Sequence, residues 1–339
     1  MGPASECGML AYMRVGLLQF FSWPDRKVPL PAVYERALRR IDVMESAGYD
    51  AVWLAEHHFT GYSVCPSVHV MATHVAARTT RLRIGTAVTL AAFYHPLRIA
   101  EEVALLDVLS GGRVNWGAGR GFDKTEFATF GVAADESGPR FRESVEVVLA
   151  AWRSERLHFS GKYFQFDGVE VLPKPLQQPH PPTWVAASSP DAIAWAASRG
   201  HSILMDPHST HGEIARKRES YRAQLEQHGF AFAGRELPMA RLIAIAPTDA
   251  EAEAVARRGA AWTTGAYVKT KTMSGFRDDG AELDPTEHYL NDVIIHGSPA
   301  RVIDQLKRLE REMFLESLMI APLSERSFQL FTDEVLPRI

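Results

Sequence analysis

The chain has 339 residues, of which 46% are apolar and 23% are charged. A chain of this length buries roughly 75% of the surface that its unfolded form exposes, so it needs neither disulfide bonds nor a metal to fold. Its 37 basic residues are balanced by 41 acidic ones and form no dense basic run, which disfavours nucleic-acid binding. No apolar stretch approaches the ~18 residues of a membrane span, and we find no signal-peptide pattern. With two cysteines, we expect free thiols and a cytoplasmic protein.

From Arg14 onward, short apolar runs alternate with amphipathic stretches, which is typical of βαβ units and a parallel sheet. In chain order, the predicted strands span residues 15–20, 50–55, 82–90, 113–118, 183–187, 202–205, 239–246 and 317–320. The predicted helices span residues 31–47, 66–78, 96–110, 138–154, 190–199, 211–228, 250–261 and 299–312, with a last helix after Pro322. This alternation favours a closed (β/α)8 TIM barrel over an open doubly wound sheet, because such barrels take ~250 residues plus insertions.

The domain boundaries follow from the same pattern. Residues 1–12 have no periodicity, so we expect a disordered leader before a single domain over residues 13–339. The residues in excess of a minimal barrel fall in 122–138, 157–182 and 262–299, which we expect as insertions at the C-terminal face. Within the last of these, 262–290 is polar and long, which predicts a mobile lid.

Polar residues directly after barrel strands are the first candidates for a site, because the active sites of such barrels lie at these strand ends. The second predicted strand is followed by Glu56-His57-His58-Phe59. Adjacent strand residues point to opposite faces, so the two histidines cannot easily share a metal ion. One imidazole in the barrel mouth could serve as an acid or base near neutral pH. Hydrogen bonding of both rings to the barrel rim is the alternative.

The fourth predicted strand leads into Gly117-Ala118-Gly119-Arg120-Gly121. The glycine spacing does not match a dinucleotide-binding fingerprint, and no helix begins directly after it. Alternating glycines let a backbone approach a flat ligand, and Arg120 supplies a forked donor for an anion. An ion pair between Arg120 and a carboxylate at the rim would also explain the arginine.

The fifth predicted strand is followed by Ser188-Ser189-Pro190-Asp191. Ser189 is placed as a helix N-cap and Pro190 as the first helical residue. The free amides of such a helix bind phosphate readily, although capping alone explains the same residues.

Together these segments resemble the bacterial luciferase-like flavin monooxygenases, and the matching pieces occur in family order along most of the chain. They are Ala55–Phe59, Gly85–Ala91, His95–Arg98, Ala100–Asp107, Ser110–Arg113, Gly117–Gly121, Phe130–Gly131 and Pro182–Trp195.

The resemblance implies roles for individual residues. His57 is the expected catalytic residue, and His58, Phe59 and His95 are expected at the substrate pocket. The expected cofactor-binding residues are Ala87 and Val88, which would hold the flavin ring through a cis peptide, Gly119 beside them, and Arg120, Ser188 and Ser189 at the phosphate. Gly119 stands where the luciferase catalytic subunit has a reactive cysteine, which makes light emission unexpected. No metal site is predicted.

The function implied by the resemblance is a two-component monooxygenase. Reduced FMN from a separate NAD(P)H:flavin reductase would react with O2 to a flavin C4a-(hydro)peroxide, which transfers one oxygen atom to an organic substrate. Two alternatives remain open: an F420-dependent oxidoreductase on the same barrel, and a non-catalytic flavin-binding subunit. The family also implies a homodimer.

Overall fold

The computed structural model of the protein describes residues 13–266 and 284–339. Its strands are β1 (Arg14–Gln19), β2 (Ala51–Leu54), β3 (Arg83–Thr86), β4 (Thr89–Leu90), β5 (Val114–Gly119), β6 (Leu157–Ser160), β7 (Gln165–Val169), β8 (Thr183–Ala186), β9 (Ser202–Leu204), β10 (Met239–Ile245), β11 (Ile295–Gly297) and β12 (Ser317–Pro322). Its α-helices are α1 (Leu30–Ala47), α2 (Val68–Arg78), α3 (Pro96–Ser110), α4 (Lys124–Phe130), α5 (Ala134–Arg153), α6 (Pro190–Ser198), α7 (His211–Gln227), α8 (Asp249–Ala266), α9 (Pro285–His288), α10 (Pro299–Met313) and α11 (Glu325–Leu330). None of these helices is long and apolar enough to span a membrane.

Eight parallel strands form the barrel, in the order β1-β2-β3-β5-β8-β9-β10-β12, and β12 pairs with β1. A bridge between Met205 and Met239 joins the β9 and β10 sides, where the amide of Met205 donates to the carbonyl oxygen of Pro238 at 3.0 Å. The predicted TIM barrel is therefore confirmed. Its strands coincide closely with the predicted ones. Each strand is covered by the barrel interior on one face and by helices on the other, so its sequence is mostly apolar and easily recognised.

The barrel interior is filled by two tryptophans whose rings meet edge to face. The ring centroids of Trp53 and Trp184 are 5.3 Å apart. A Cβ atom on Gly85 would lie 2.3 Å from the Trp53 ring, so only glycine fits there. The bulk of Trp53 thus explains why β3 has a glycine at position 85. A solid core leaves the strand ends as the place for a ligand.

Several elements in the segments that exceed a minimal barrel were not predicted from the sequence. The predicted strand 82–90 is interrupted between β3 and β4. The segment after Arg156 forms an antiparallel hairpin of β6 and β7, whose largely exposed side chains give little apolar periodicity. Helix α4 lies within residues 122–138, and β11 extends the barrel sheet beside β10.

The segment 262–290, predicted as a lid, is helical at both of its described ends. Helix α8 continues to Ala266 because Trp262 stacks on Tyr62, with ring centroids 5.3 Å apart, and Thr263 is buried. At the other end, α9 runs into a helical turn over Tyr289–Val293. Residues 267–283, like the predicted leader 1–12, lie outside the described residues.

Cys65 is a free and buried thiol, as predicted, and Cys7 lies outside the described residues. Burial raises the pKa of the Cys65 thiol to about 12, with a further contribution from the charge of Glu56. This thiol is therefore protonated and unreactive near neutral pH.

Candidate active site

A cavity of about 350 Å³ lies at the C-terminal ends of the barrel strands. The residues lining it include the predicted catalytic and cofactor-binding residues His57, Ala87, Val88, Gly119, Arg120, Ser188 and Ser189. The structure thus brings together, on one cavity, residues that follow four different strands.

One wall of the cavity is formed at the interruption between β3 and β4. The peptide bond between Ala87 and Val88 is cis, as the resemblance implies. A Cβ atom on Gly119 would lie 2.3 Å from Cγ2 of Val88, and one on Gly117 would lie 2.1 Å from the carbonyl oxygen of Thr86. A side chain at either position would collide with neighbouring protein atoms, so both positions require glycine. The sequence alone suggested only that these glycines let a flat ligand approach the backbone.

Arg120 and Ser188 mark a cationic end of the same cavity. They follow the neighbouring strands β5 and β8, in which Ala118 is paired with Val185. Arg120 is exposed and makes no ion pair or hydrogen bond with the described part of the chain. The alternative explanation, an ion pair with a carboxylate at the rim, is therefore not supported by the described residues. The guanidinium group, 6.0 Å from the ring centroid of Phe127, is available to an anionic ligand.

Helix α6 begins beside this arginine. The Ser189 hydroxyl accepts a hydrogen bond from the amide of Ala192 at 3.3 Å, which confirms the predicted N-cap. In the first turn, Asp191 forms an ion pair with Arg142 of α5, whose guanidinium lies 5.6 Å from the ring centroid of Trp195. The sequence interpretation missed Arg142, because nothing in the periodicity of α5 shows which residues reach the barrel mouth.

His57 lies among aromatic rings at the apolar side of the cavity. Its side chain is 13% exposed, and its ring centroid lies 5.1 Å from that of Tyr62, 6.2 Å from Phe122 and 6.3 Å from Phe20. Burial, together with the charge of neighbouring His58, lowers the pKa of His57 to about 4. The expectation that this imidazole titrates near neutral pH is therefore corrected: at pH 7 it is a neutral hydrogen-bonding group.

Glu126 is the group beside His57 that titrates near neutrality. It is 2% exposed, and its Oε1 lies 4.0 Å from Nδ1 of His57 and accepts a hydrogen bond from the amide of His58 at 3.0 Å. Burial raises the pKa of Glu126 to about 7, against the opposing effect of that hydrogen bond.

The sequence interpretation missed Glu126 because it lies in α4, in a segment taken as an insertion. A signal for this helix is present in the chain. Asp123 caps α4 by accepting from the amide of Thr125, and Glu126 comes three residues after the cap, the spacing of a capping box. Gly131 then ends the helix in the left-handed conformation.

The three predicted substrate-pocket residues do not line this cavity. His58 points away from it, and its Nε2 lies 3.1 Å from Oε1 of Glu56, which also accepts from the hydroxyl of Tyr94 at 2.7 Å. Phe59 is 60% exposed. His95 caps α3 by accepting from the amide of Leu97 at 3.3 Å. Alternation along the extended chain explains why His57 and His58 diverge. No group of side chains suited to bind a metal ion occurs among residues 13–266 and 284–339.

Comparisons with known proteins bear on the family and the fold of the chain. The sequence profile of the luciferase-like monooxygenase family matches residues 13–316. An uncharacterized protein of Sinorhizobium fredii, y4wF, is 38% identical over 170 residues, which are 50% of each chain. The oxygenase component of a flavin-dependent trigonelline monooxygenase from Acinetobacter baylyi is 31% identical over 52% of this chain and 49% of its own length. The matches to these curated relatives thus span about half of their length.

Solved structures match nearly the whole chain. The monooxygenase RslO1 from Streptomyces bottropensis has a TM-score of 0.83 at 26% identity, with 96% of this chain and 99% of that one covered. The oxygenating constituent of 3,6-diketocamphane monooxygenase from Pseudomonas putida, solved with FMN, has a TM-score of 0.79 at 19% identity over 96% and 98%. An F420-dependent secondary alcohol dehydrogenase shares the fold with a TM-score of 0.77 at 16% identity, with 96% of this chain and 98% of that one covered. By its sequence and its barrel, the chain belongs to the luciferase-like monooxygenase family.

Proposed function

We propose that the chain is the oxygenase of a two-component system, which uses reduced FMN from a separate NAD(P)H:flavin reductase to insert one atom of O2 into an organic substrate. Membership of the luciferase-like monooxygenase family supports oxygenation. The relative that acts as the oxygenase component of a trigonelline monooxygenase supports the two-component arrangement. We extend the proposal to a homodimer, which light scattering on the purified protein tests. We also propose that the protein works in a reducing compartment.

The observation that carries the proposal is the position of Arg120. This arginine has no partner in the described part of the chain, and it shares the cavity with Ser188 and the capped start of α6. A phosphate there would accept charge-assisted hydrogen bonds, each typically ~1.5–3 kcal/mol. The wall around Ala87 and Val88 is apolar, which suits a flat ring system. The residues present therefore fit a ligand with a phosphate at one end and a ring at the other.

Reduced FMN, when bound, would supply the electrons that activate O2. The protein's contribution is to hold the reacting atoms dry and to control a proton beside them. Phe20, Tyr62 and Phe122 surround His57 and exclude water from its neighbourhood. His57, neutral at pH 7, offers one nitrogen as a donor and the other as an acceptor to an oxygen atom on the cavity side. Glu126, whose pKa burial raises to about 7, changes its charge near neutral pH and so changes the electrostatic environment of the His57 ring 4.0 Å away.

The test combines binding with product analysis. The purified apoprotein is titrated with reduced FMN without oxygen, then mixed with oxygen and candidate substrates, and the products are weighed by mass spectrometry. We expect saturable binding and the gain of one oxygen atom in at least one organic compound. A stable flavin complex that consumes no oxygen would instead identify a non-catalytic flavin-binding subunit.

F420 is a second candidate cofactor, because an F420-dependent dehydrogenase shares this fold at a TM-score close to that of the FMN-bound monooxygenase. Parallel titrations with FMN and F420 in their reduced forms distinguish the two. Tighter binding of F420, together with reversible hydride transfer between the cofactor and an alcohol–ketone pair, would identify the chain as an F420-dependent oxidoreductase instead of a monooxygenase.

A further inference from the structure

A second cavity, of about 430 Å³, adjoins the one described above. It lies between α1, α8 and the ends of β1 and β12, and its volume is within the ~300–1,000 Å³ typical of small-molecule sites. Its apolar and aromatic lining includes Leu18, Phe20, Tyr62, Leu242, Trp262 and Leu323.

The two cavities share a wall. Leu18 and Phe20 line both of them. The ring of Tyr62 lies 5.2 Å from that of Phe20 and 5.1 Å from that of His57. Phe20 and Tyr62, which line the second cavity, therefore pack directly against His57.

The charged residues of the second cavity are unbalanced. Among the described residues that line it, Arg36, Arg40 and Arg258 are cationic, and Glu325 is the only carboxylate. Glu325 is paired with Arg40, whose Nη2 lies 2.8 Å from its Oε2.

Neither of the other two arginines forms an ion pair with a carboxylate of the described residues. Arg36 donates from Nη2 to the carbonyl oxygen of Ser22 at 3.2 Å, and Arg258 makes no ion pair or hydrogen bond with residues 13–266 or 284–339. Burial lowers the pKa of Arg36 and the like charge of Arg40 adds to that effect, whereas the charge of Glu325 opposes it. Three arginines against one carboxylate among the described lining residues favour an anionic ligand.

We propose that this second cavity binds the organic substrate and that the substrate is a carboxylate with an aromatic or aliphatic body. Arg36 and Arg258 hold the carboxylate by charge-assisted hydrogen bonds, and the body packs against Tyr62 and Trp262. Assignment as a substrate site rests on the proposed monooxygenase function, whereas the preference for an organic anion rests on the cavity alone.

The experiment compares acids with their neutral amides. Naphthoate against naphthamide, and hexanoate against hexanamide, are titrated into the full-length protein by calorimetry, with and without FMN. We expect the acid of at least one pair to bind at least about tenfold more tightly than its amide, as one hydrogen bond to a charged group would produce. Arg258→Gln and Arg36→Gln should each reduce that ratio.

A matched control is available on the same helix as Arg258. Arg257 pairs with Glu253 and Glu287 and does not line the cavity. Arg257→Gln should leave the ratio of acid to amide affinity unchanged. No preference for the acid in either pair, or an equal loss of preference in Arg257→Gln, would overturn the proposal. Because these titrations do not depend on FMN, a protein that binds the acids but not FMN would contradict the proposed function and leave the anion preference standing.

Discussion

Nδ1 of His57 lies 4.0 Å from Oε1 of Glu126, so a neutral imidazole stands beside a carboxyl group whose pKa burial raises to about 7. An ionised Glu126 places a negative charge beside the His57 ring, and a protonated Glu126 removes that charge. The ionisation of one buried carboxyl group therefore changes the electrostatic environment of the ring at the cavity.

The first prediction is a pH profile that depends on Glu126. We expect the rate of product formation by the wild-type protein to rise through about pH 7 as Glu126 ionises. Glu126→Gln should abolish that rise, because the amide does not titrate. The control is Glu101→Gln, a change on the surface of α3. The same rise in both variants would show that another group controls the rate.

The second prediction concerns stability. The folded protein holds the Glu126 proton to about pH 7, whereas an ordinary glutamate in an unfolded chain has a pKa of about 4.5. Between these values the folded state binds more protons, so the contribution of Glu126 to the free energy of unfolding falls as the pH rises. Relative to Glu126→Gln, the wild-type protein should therefore lose stability between pH 4.5 and 7 and no more above it. Urea unfolding at several pH values measures this difference, and a difference independent of pH would contradict the raised pKa.

The third prediction separates His57 from the other histidines. His57→Ala should divert reduced FMN and oxygen to hydrogen peroxide and lower product formation by about 10²–10³-fold, the usual effect of removing one hydrogen-bonding group from the reacting centre. His95→Ala removes a cap of α3 away from the cavity and should leave the ratio of product to peroxide unchanged. Peroxide and product are measured in the same reaction. Unchanged product yield in His57→Ala would remove His57 from the mechanism.

The fourth prediction tests the packing of the cavity wall. Gly119→Ala places a Cβ atom 2.3 Å from the Val88 side chain and should destabilise the protein by about 1–3 kcal/mol. Gly265→Ala is the control, since among the described residues no atom outside the backbone of α8 lies within 4 Å of a Cβ atom there, and α8 gains a better helix former. Thermal unfolding of both variants is the measurement. Equal melting temperatures would mean that the wall adjusts to the extra atom.

The barrel was predictable because its strands are short, predominantly apolar runs. Strand β10, for example, is buried along its whole length from Met239 to Ile245, and Arg241 is its one charged residue. The hairpin of β6 and β7 was not predictable on the same grounds, since it covers little of the core and carries mixed side chains. The start of α5 at Ala134 was missed because Pro139 and Gly138 suggest a helix end where the chain continues as a helix.

The lining of the candidate site was predictable where a residue directly follows a strand, as with His57, Arg120 and Ser188. It was not predictable for Arg142 on α5, nor for Glu126, which lies beside His57 on α4 within an insertion. Their contribution depends on helix rotation and burial, which sequence spacing does not determine. His58 and His95 take part in a hydrogen-bond network and a helix cap, respectively, and their role at the substrate pocket stays a prediction.

The most direct test of the proposed function is the contribution of the ligand's phosphate, measured with and without Arg120. Reduced FMN and reduced riboflavin are titrated without oxygen into the wild-type protein and into Arg120→Gln. In the wild-type protein we expect FMN to bind about 10–150-fold more tightly, the equivalent of ~1.5–3 kcal/mol for a hydrogen bond to a charged group. In Arg120→Gln the two affinities should approach each other. Equal affinities of the wild-type protein for FMN and riboflavin would contradict a phosphate site at Arg120 and, with it, the proposed use of FMN.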